Sequence, residues 1–290
     1  MKNIILTALA VSSILTACNS ENDHEADATS TTTITTTITF SMTGDFSFST
    51  SDMTRSLEAD GKSMTDIWVL DYLDGTLQQQ VHQTASEANF GTPTLSLGLG
   101  DHHIYFVASR GVGATLNTDA RTLTFTNVRD TFWKDYAITI TGGTSSGSRT
   151  VALDRVVTKL KLIFSDAIPT GAATFNVTPA TWYYGFNYQT GEPTAAANSQ
   201  ITTVSIPSSE IGVVNETVSI FGFSPATEWT TDVEVECKTS DSGVLGYATI
   251  TSAPFVRNRV SEYTGPLFGD NGSMTLSLNT DWTTSHTGSW

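Results

Sequence analysis

Cysteine is almost missing from the 290 residues. Only Cys18 and Cys237 occur, so the chain is not one of the disulfide-dense scaffolds. Basic side chains are also thin, 14 Lys and Arg against 29 Asp and Glu, for a net charge of −15. That balance disfavours nucleic acid and anionic membrane surfaces as partners. Charged residues of both signs make up only 15% of the chain, so the surface must be polar but largely uncharged, and Thr and Ser supply it. No sustained apolar pattern at helical spacing occurs, which argues against a helical core. The one long apolar run, near the N-terminus, falls short of the roughly 20 residues that a membrane-spanning helix needs.

That run follows Lys2 and extends from Ile4 to Ile14. One cation, a short apolar core and small residues before a cysteine are the parts of a secretory signal. The closing residues, Leu15-Thr16-Ala17-Cys18, resemble the lipobox of bacterial lipoproteins. The resemblance implies that residues 1–17 are removed and that Cys18 becomes an acylated first residue. Each buried CH₂ contributes about 0.8 kcal/mol, so two or more chains hold a protein on a membrane without basic residues. With Cys18 acylated, Cys237 has no partner in the chain. It shares a strand face with Val233 and Val235 and reads as a small core residue. Residues 18–30 carry four acids and no large apolar side chain, and form an acidic flexible tether.

Beyond the tether the pattern has period 2. Ile34, Ile38, Phe40, Met42, Phe46 and Phe48 all have even numbers, with Thr and Ser mostly between them, so one face of a long first strand is buried. Ile67-Trp68-Val69-Leu70 is apolar on both faces, and Asp74-Gly75 supplies a tight hairpin turn. Asp130–Tyr136 suggests one helical turn. Gly142–Ser148 is a loop of Gly, Ser and Thr, after which a new strand register begins. Many short strands with turns roughly every ten residues predict an all-β chain of two β-sandwich domains, residues 31–148 and 149–290.

Few stretches suggest chemistry. Gly143-Thr144-Ser145-Ser146-Gly147 has the letters of a nucleophile elbow, but an elbow needs a helix after it and a strand-like run follows here. Asp101-His102-His103 suggests a metal, yet neighbours on a strand point to opposite faces, so no metal and no cofactor are expected. Trp182, Tyr184, Phe186 and Tyr188 share parity in the densest aromatic cluster. Two readings fit them: one strand burying a face, or an exposed platform on which sugar rings stack. Nothing marks the chain as an enzyme.

Four stretches in order resemble the fimbrillin superfamily, the type V pilins and their anchor lipoproteins. They are the lipobox, Met53-Thr54-Arg55-Ser56 before Ile67–Tyr72, Leu153-Asp154-Arg155-Val156-Val157-Thr158-Lys159-Leu160, and Phe255-Val256-Arg257-Asn258-Arg259 followed by Gly265-Pro266-Leu267-Phe268. The resemblance implies two tandem transthyretin-like sandwiches and a shaft, tip or anchor subunit of a fimbria. It implies a lipid-anchored, surface-exposed outer-membrane location and a role in cell adhesion. It also implies a cut between Arg55 and Ser56, loss of the first strand, and refilling of its groove by a strand from another pilus subunit. Met274, Leu276, Leu278 and Trp282 have the period-2 face that a donor needs. A glycan-binding surface lipoprotein is the alternative, with a host or bacterial glycan, or a protein, as receptor.

Overall fold

The computed structural model describes residues 35–45, 64–198, 200–268 and, for the backbone alone, 275–279. The secretory signal, Cys18, the tether, Arg55, Ser56, Met274 and Trp282 lie outside the described residues. The first half contributes β1 (Thr36–Thr43), β2 (Asp66–Leu73), β3 (Thr76–Thr84), β4 (Thr94–Leu97), β5 (Gly100–Ser109), β6 (Thr115–Asn117), β7 (Thr122–Thr124), β8 (Thr131–Ile140), β9 (Gly147–Ala152) and β10 (Asp154–Arg155). The second contributes β11 (Val157–Phe164), β12 (Ala172–Pro179), β13 (Thr181–Tyr183), β14 (Gly185–Asn187), β15 (Ala196–Asn198), β16 (Thr202–Ser205), β17 (Glu216–Phe223), β18 (Trp229–Thr239), β19 (Val244–Phe255), β20 (Val260–Gly265) and β21 (Thr275–Asn279). The chain is all-β apart from a single 3₁₀ turn at Ser208–Glu210 among the described residues.

Two face-to-face sheet pairs make up the architecture. In the first, the sheet β4-β1-β9 covers one face of the sheet β10-β8-β5-β2-β3. Between them lies a core built from Ile38, Phe40 and Met42 of β1, Leu95 and Leu97 of β4, and Ile67, Val69, Ile104 and Phe106 of the larger sheet. In the second, β17-β11-β20-β21 packs on β16-β12-β18-β19 around Leu160, Leu162, Phe164, Phe175, Val235 and Cys237. The period-2 pattern of these strands is what divides each into a core face and a solvent face.

A third core joins the halves. Trp68, Leu70 and Tyr72 of β2, with Tyr105 and Val107 of β5, turn away from the first core and meet Phe125, Phe186, Tyr188, Phe221 and Phe223. The both-faced apolar run of β2 is therefore buried on both sides, Ile67 and Val69 one way, Trp68 and Leu70 the other. The small sheet β14-β7-β6 mixes strands from both halves. After the Gly142–Ser148 loop, β9 and β10 still pair with first-half strands, β1 and β8 respectively.

One local expectation holds and another does not. Asp74 and Gly75 both have positive φ, 50° and 76°, as the turn between β2 and β3 requires. Asp130–Tyr136 is not a helical turn, because Thr131–Ile140 forms β8, paired residue for residue with β5 from Gly100↔Ile140 to Ser109↔Thr131. Cross-strand pairing and the burial of Phe132 outweigh the weak local preference there.

Candidate functional site

The first strand and its seat form the most unusual arrangement in the molecule. β1 lies in the middle of its sheet, antiparallel to β4 (Thr36↔Leu97 to Thr39↔Thr94) and parallel to β9 (Ile38↔Gly147 to Thr43↔Ala152). Parallel partners need a long crossover, and more than a hundred residues separate β1 from β9. Ile38 and Phe40 have no exposed surface and Met42 is 5% exposed. Phe40 packs on Phe106 at 5.1 Å between centroids and meets Tyr136 edge-on at 5.7 Å. Burying three such side chains contributes roughly 5–9 kcal/mol. Whatever occupies this seat must supply comparable apolar area and a full set of backbone hydrogen bonds.

Both ends of the seat are clamped. At the start, the Thr36 hydroxyl donates to the Thr144 carbonyl (3.3 Å), and the Thr37 N–H donates to the Ser146 hydroxyl (3.1 Å). The Gly143–Gly147 stretch is thus a loop between β8 and β9 that holds β1, with a strand after it where an elbow needs a helix. At the far end, Leu153 N–H donates to the Thr43 carbonyl at 2.8 Å. Arg155 then gathers four groups. Its Nε and Nη2 donate to Asp130 at 2.7 and 3.0 Å, Nη2 also to Asp45 at 3.2 Å, and Nη1 to Asn258 at 3.0 Å. The guanidinium lies 4.5 Å over the Phe132 ring. Asp45 stands two residues past β1, so this buried cation ties the strand's exit to both halves.

The C-terminal stretch of even-numbered apolar residues is a strand in this chain's own second half. Leu276 pairs with Tyr263 and Leu278 with Ser261, where β21 completes the sheet beside β20.

The aromatic cluster is not an exposed platform, and it is not one strand. Trp182 (3% exposed), Phe186 and Tyr188 (both 0%) are core residues, and only Tyr184 keeps part of its surface. The chain breaks at Tyr184: β13 pairs with β15, whereas β14 pairs with β7. Gly185 permits that change, since a Cβ there would stand 2.6 Å from the Thr124 side chain. Trp182 Nε1 donates to the Phe221 carbonyl at 2.9 Å, and Phe186 stacks on Phe223 at 4.6 Å. Shared parity in the sequence reflects burial here, and the partners that bury these rings lie far away along the chain.

Asp101-His102-His103 divides as strand geometry demands. His102 is buried, with Nδ1 2.6 Å from Asp71 and Nε2 3.0 Å from the Gly98 carbonyl. His103 is on the other face, 3.0 Å from Asp135. Arg155 and Asp71–His102 are the structurally central polar groups. Arg155 lies within one of the four stretches named above, but its partners Asp45, Asp130 and Asn258 are scattered over more than two hundred residues.

No family model matches the chain, and no curated protein matches it. Solved structures do. A candidate cell adhesion protein from Bacteroides ovatus is 14% identical, with a TM-score of 0.53 over 87% of this chain and 100% of that one. A candidate polysaccharide-binding protein from Bacteroides thetaiotaomicron is 8% identical, with a TM-score of 0.50 over 83% of this chain and 95% of that one. The tip fimbrial protein from Porphyromonas gingivalis, solved with a C-terminal truncation, is 13% identical, with a TM-score of 0.45 over 86% of this chain and all of that one. At these identities the likeness is one of fold alone, and the chain shares its fold with the candidate Bacteroides ovatus cell adhesion protein.

Proposed function

We propose that this chain is a surface lipoprotein, held in the outer membrane through acylated Cys18, that serves as a shaft, tip or anchor subunit of a fimbria and contributes to cell adhesion. The observation that supports this reading most is the fold shared, over 87% of this chain, with a candidate cell adhesion protein. The seat of β1 supports it. A strand with one apolar face, flanked on both sides, leaves an apolar slot with two unpaired backbone edges if it departs. Each backbone group left buried and unsatisfied costs about 1–3 kcal/mol. A strand donated by another subunit repairs both defects.

In this reading a cut between Arg55 and Ser56, in the stretch between β1 and β2, separates β1 from the body of the chain. The donor is the 274–282 segment of a neighbouring subunit, with Met274, Leu276, Leu278 and Trp282 filling the slot. Arg55→Ala tests the cut. Full-length chain at the cell surface, with none in sheared filaments, is the expected result. Uncut variant in normal filaments would rule out processing at this position and leave β1 in place, as an anchor subunit would keep it.

A further inference from the structure

A groove opens where two sheets of the second half end. Among the described residues β16 pairs only with β12, and β17 only with β11, so each is an edge strand. Between them, and walled by the segment from Thr126 to Arg129 and by Tyr184, lies a cavity of about 570 Å³. Sites for small organic ligands span about 300–1,000 Å³.

Two polar groups that line this groove are buried without a partner, and a third carries a charge. Ser219 is 6% exposed, and its hydroxyl has no hydrogen-bond partner among the described residues. The Gln200 Oε1 atom is buried and equally without a donor. Buried polar atoms nearly always have a partner, so two orphans in one groove point to a group that arrives from outside. Arg129 is the third. It is half-buried, and no carboxylate pairs with it among the described residues. Burial first, then the like charge of Arg110, hold its guanidinium below the usual arginine range. An uncompensated, partly desolvated cation is costly. It stands out in a chain with twice as many acids as bases. The Trp182 Nε1 is already committed to Phe221, so the tryptophan gives the groove only its ring.

We propose that this groove binds an acidic saccharide, a sugar chain carrying carboxylates. Arg129 takes the carboxylate in the planar two-point geometry that suits guanidinium. Gln200 Oε1 accepts from a ring hydroxyl, Ser219 exchanges a hydrogen bond with another, and Tyr184 offers a partly exposed ring to a sugar face. A bare anion brings no donor for Gln200, and a neutral sugar leaves Arg129 unpaired. A ligand with both an anion and clustered hydroxyls satisfies all three groups at once, and hexaglutamate, which brings carboxylates and amide N–H groups but no hydroxyls, is the competitor to test. The site is independent of strand exchange, so its failure would leave the fimbrial reading untouched, and the reverse.

The test is calorimetric titration of the whole chain with a hexamer of galacturonic acid, against maltohexaose and hexaglutamate. The galacturonate hexamer should bind, and maltohexaose and hexaglutamate should bind at least about tenfold more weakly. Arg129→Gln should weaken galacturonate binding about tenfold or more, and Ser219→Ala severalfold, a loss the size of one or two charge-assisted hydrogen bonds. Circular dichroism checks the fold. If Arg129→Gln does not fold, Arg129→Lys, which keeps the charge but not the fork, should still weaken binding severalfold. No galacturonate binding, equal binding by a folded Arg129 variant, or equally tight hexaglutamate would overturn the proposal.

Discussion

The hydroxyls of Tyr72 and Tyr188 meet at 2.7 Å inside the third core, joining β2 to the turn after β14 across 116 residues of sequence. Both side chains are buried, and both hydroxyls also reach the Thr118 carbonyl, at 3.4 and 3.5 Å. Burial, followed by the Tyr72 bond, pushes the Tyr188 phenol well above its ordinary value. Tyr188→Phe should lower unfolding stability by about 1 kcal/mol, since Tyr72 retains its second acceptor. Tyr247→Phe on the exposed side of β19 is the control. Equal denaturation midpoints for the two variants would show that the buried pair contributes nothing.

Gly222 of β17 faces the Trp182 ring. A Cβ there would stand 2.6 Å from Trp182 Cε2. Trp182 is fixed by its bond to Phe221 and by Phe255 edge-on at 5.1 Å, so it has little room to yield. Gly222→Ala should cost about 1–3 kcal/mol. A thermal midpoint equal to that of the native chain would show that the ring moves aside freely.

The Asp71–His102 pair gives stability a pH dependence. Burial raises the Asp71 carboxyl above its ordinary 3.8, against the opposing hydrogen bond and charge of His102 and the hydrogen bond from Gln79. The folded chain therefore holds this proton more tightly than the unfolded one. The group's contribution is complete below pH 3.8 and is lost as pH rises through the folded value. The stability difference between the native chain and Asp71→Asn should shrink as pH climbs from about 4 toward neutrality. Urea titrations at several pH values measure it, and a difference that stays flat or grows would contradict the assignment.

Cys237 has no exposed surface, and burial pushes its thiol up to about 11. At pH 8 a thiol-specific reagent should leave it unlabelled in the folded protein and label it fully in denaturant, as peptide mapping would show. Rapid labelling in the folded state would mean that this core opens easily.

Much of the architecture is written locally. The even-numbered apolar set in β1, the doubly apolar β2, the Asp74-Gly75 turn and the split between His102 and His103 each follow from period 2 and turn chemistry. What is not local is not legible. The run from Trp182 to Tyr188 has the parity of one strand, and its division between two sheets depends on where Thr124 and Ala195 lie. The parallel pairing of β1 with β9 and the gathering of Asp45, Asp130 and Asn258 around Arg155 are also set by distant contacts. The groove beside Arg129 was illegible for the same reason. Its walls come from four stretches far apart in sequence, and the signal is an absence of partners that only the fold reveals.

The fimbrial reading rests most directly on where the chain is found. Surface filaments sheared from cells that carry it, and from a deletion strain, should be compared by peptide mass spectrometry. Peptides from residues 64–268 in the filament fraction, lost together with normal filaments in the deletion strain, are the predicted result. Unchanged filaments that never contain the chain would contradict the account.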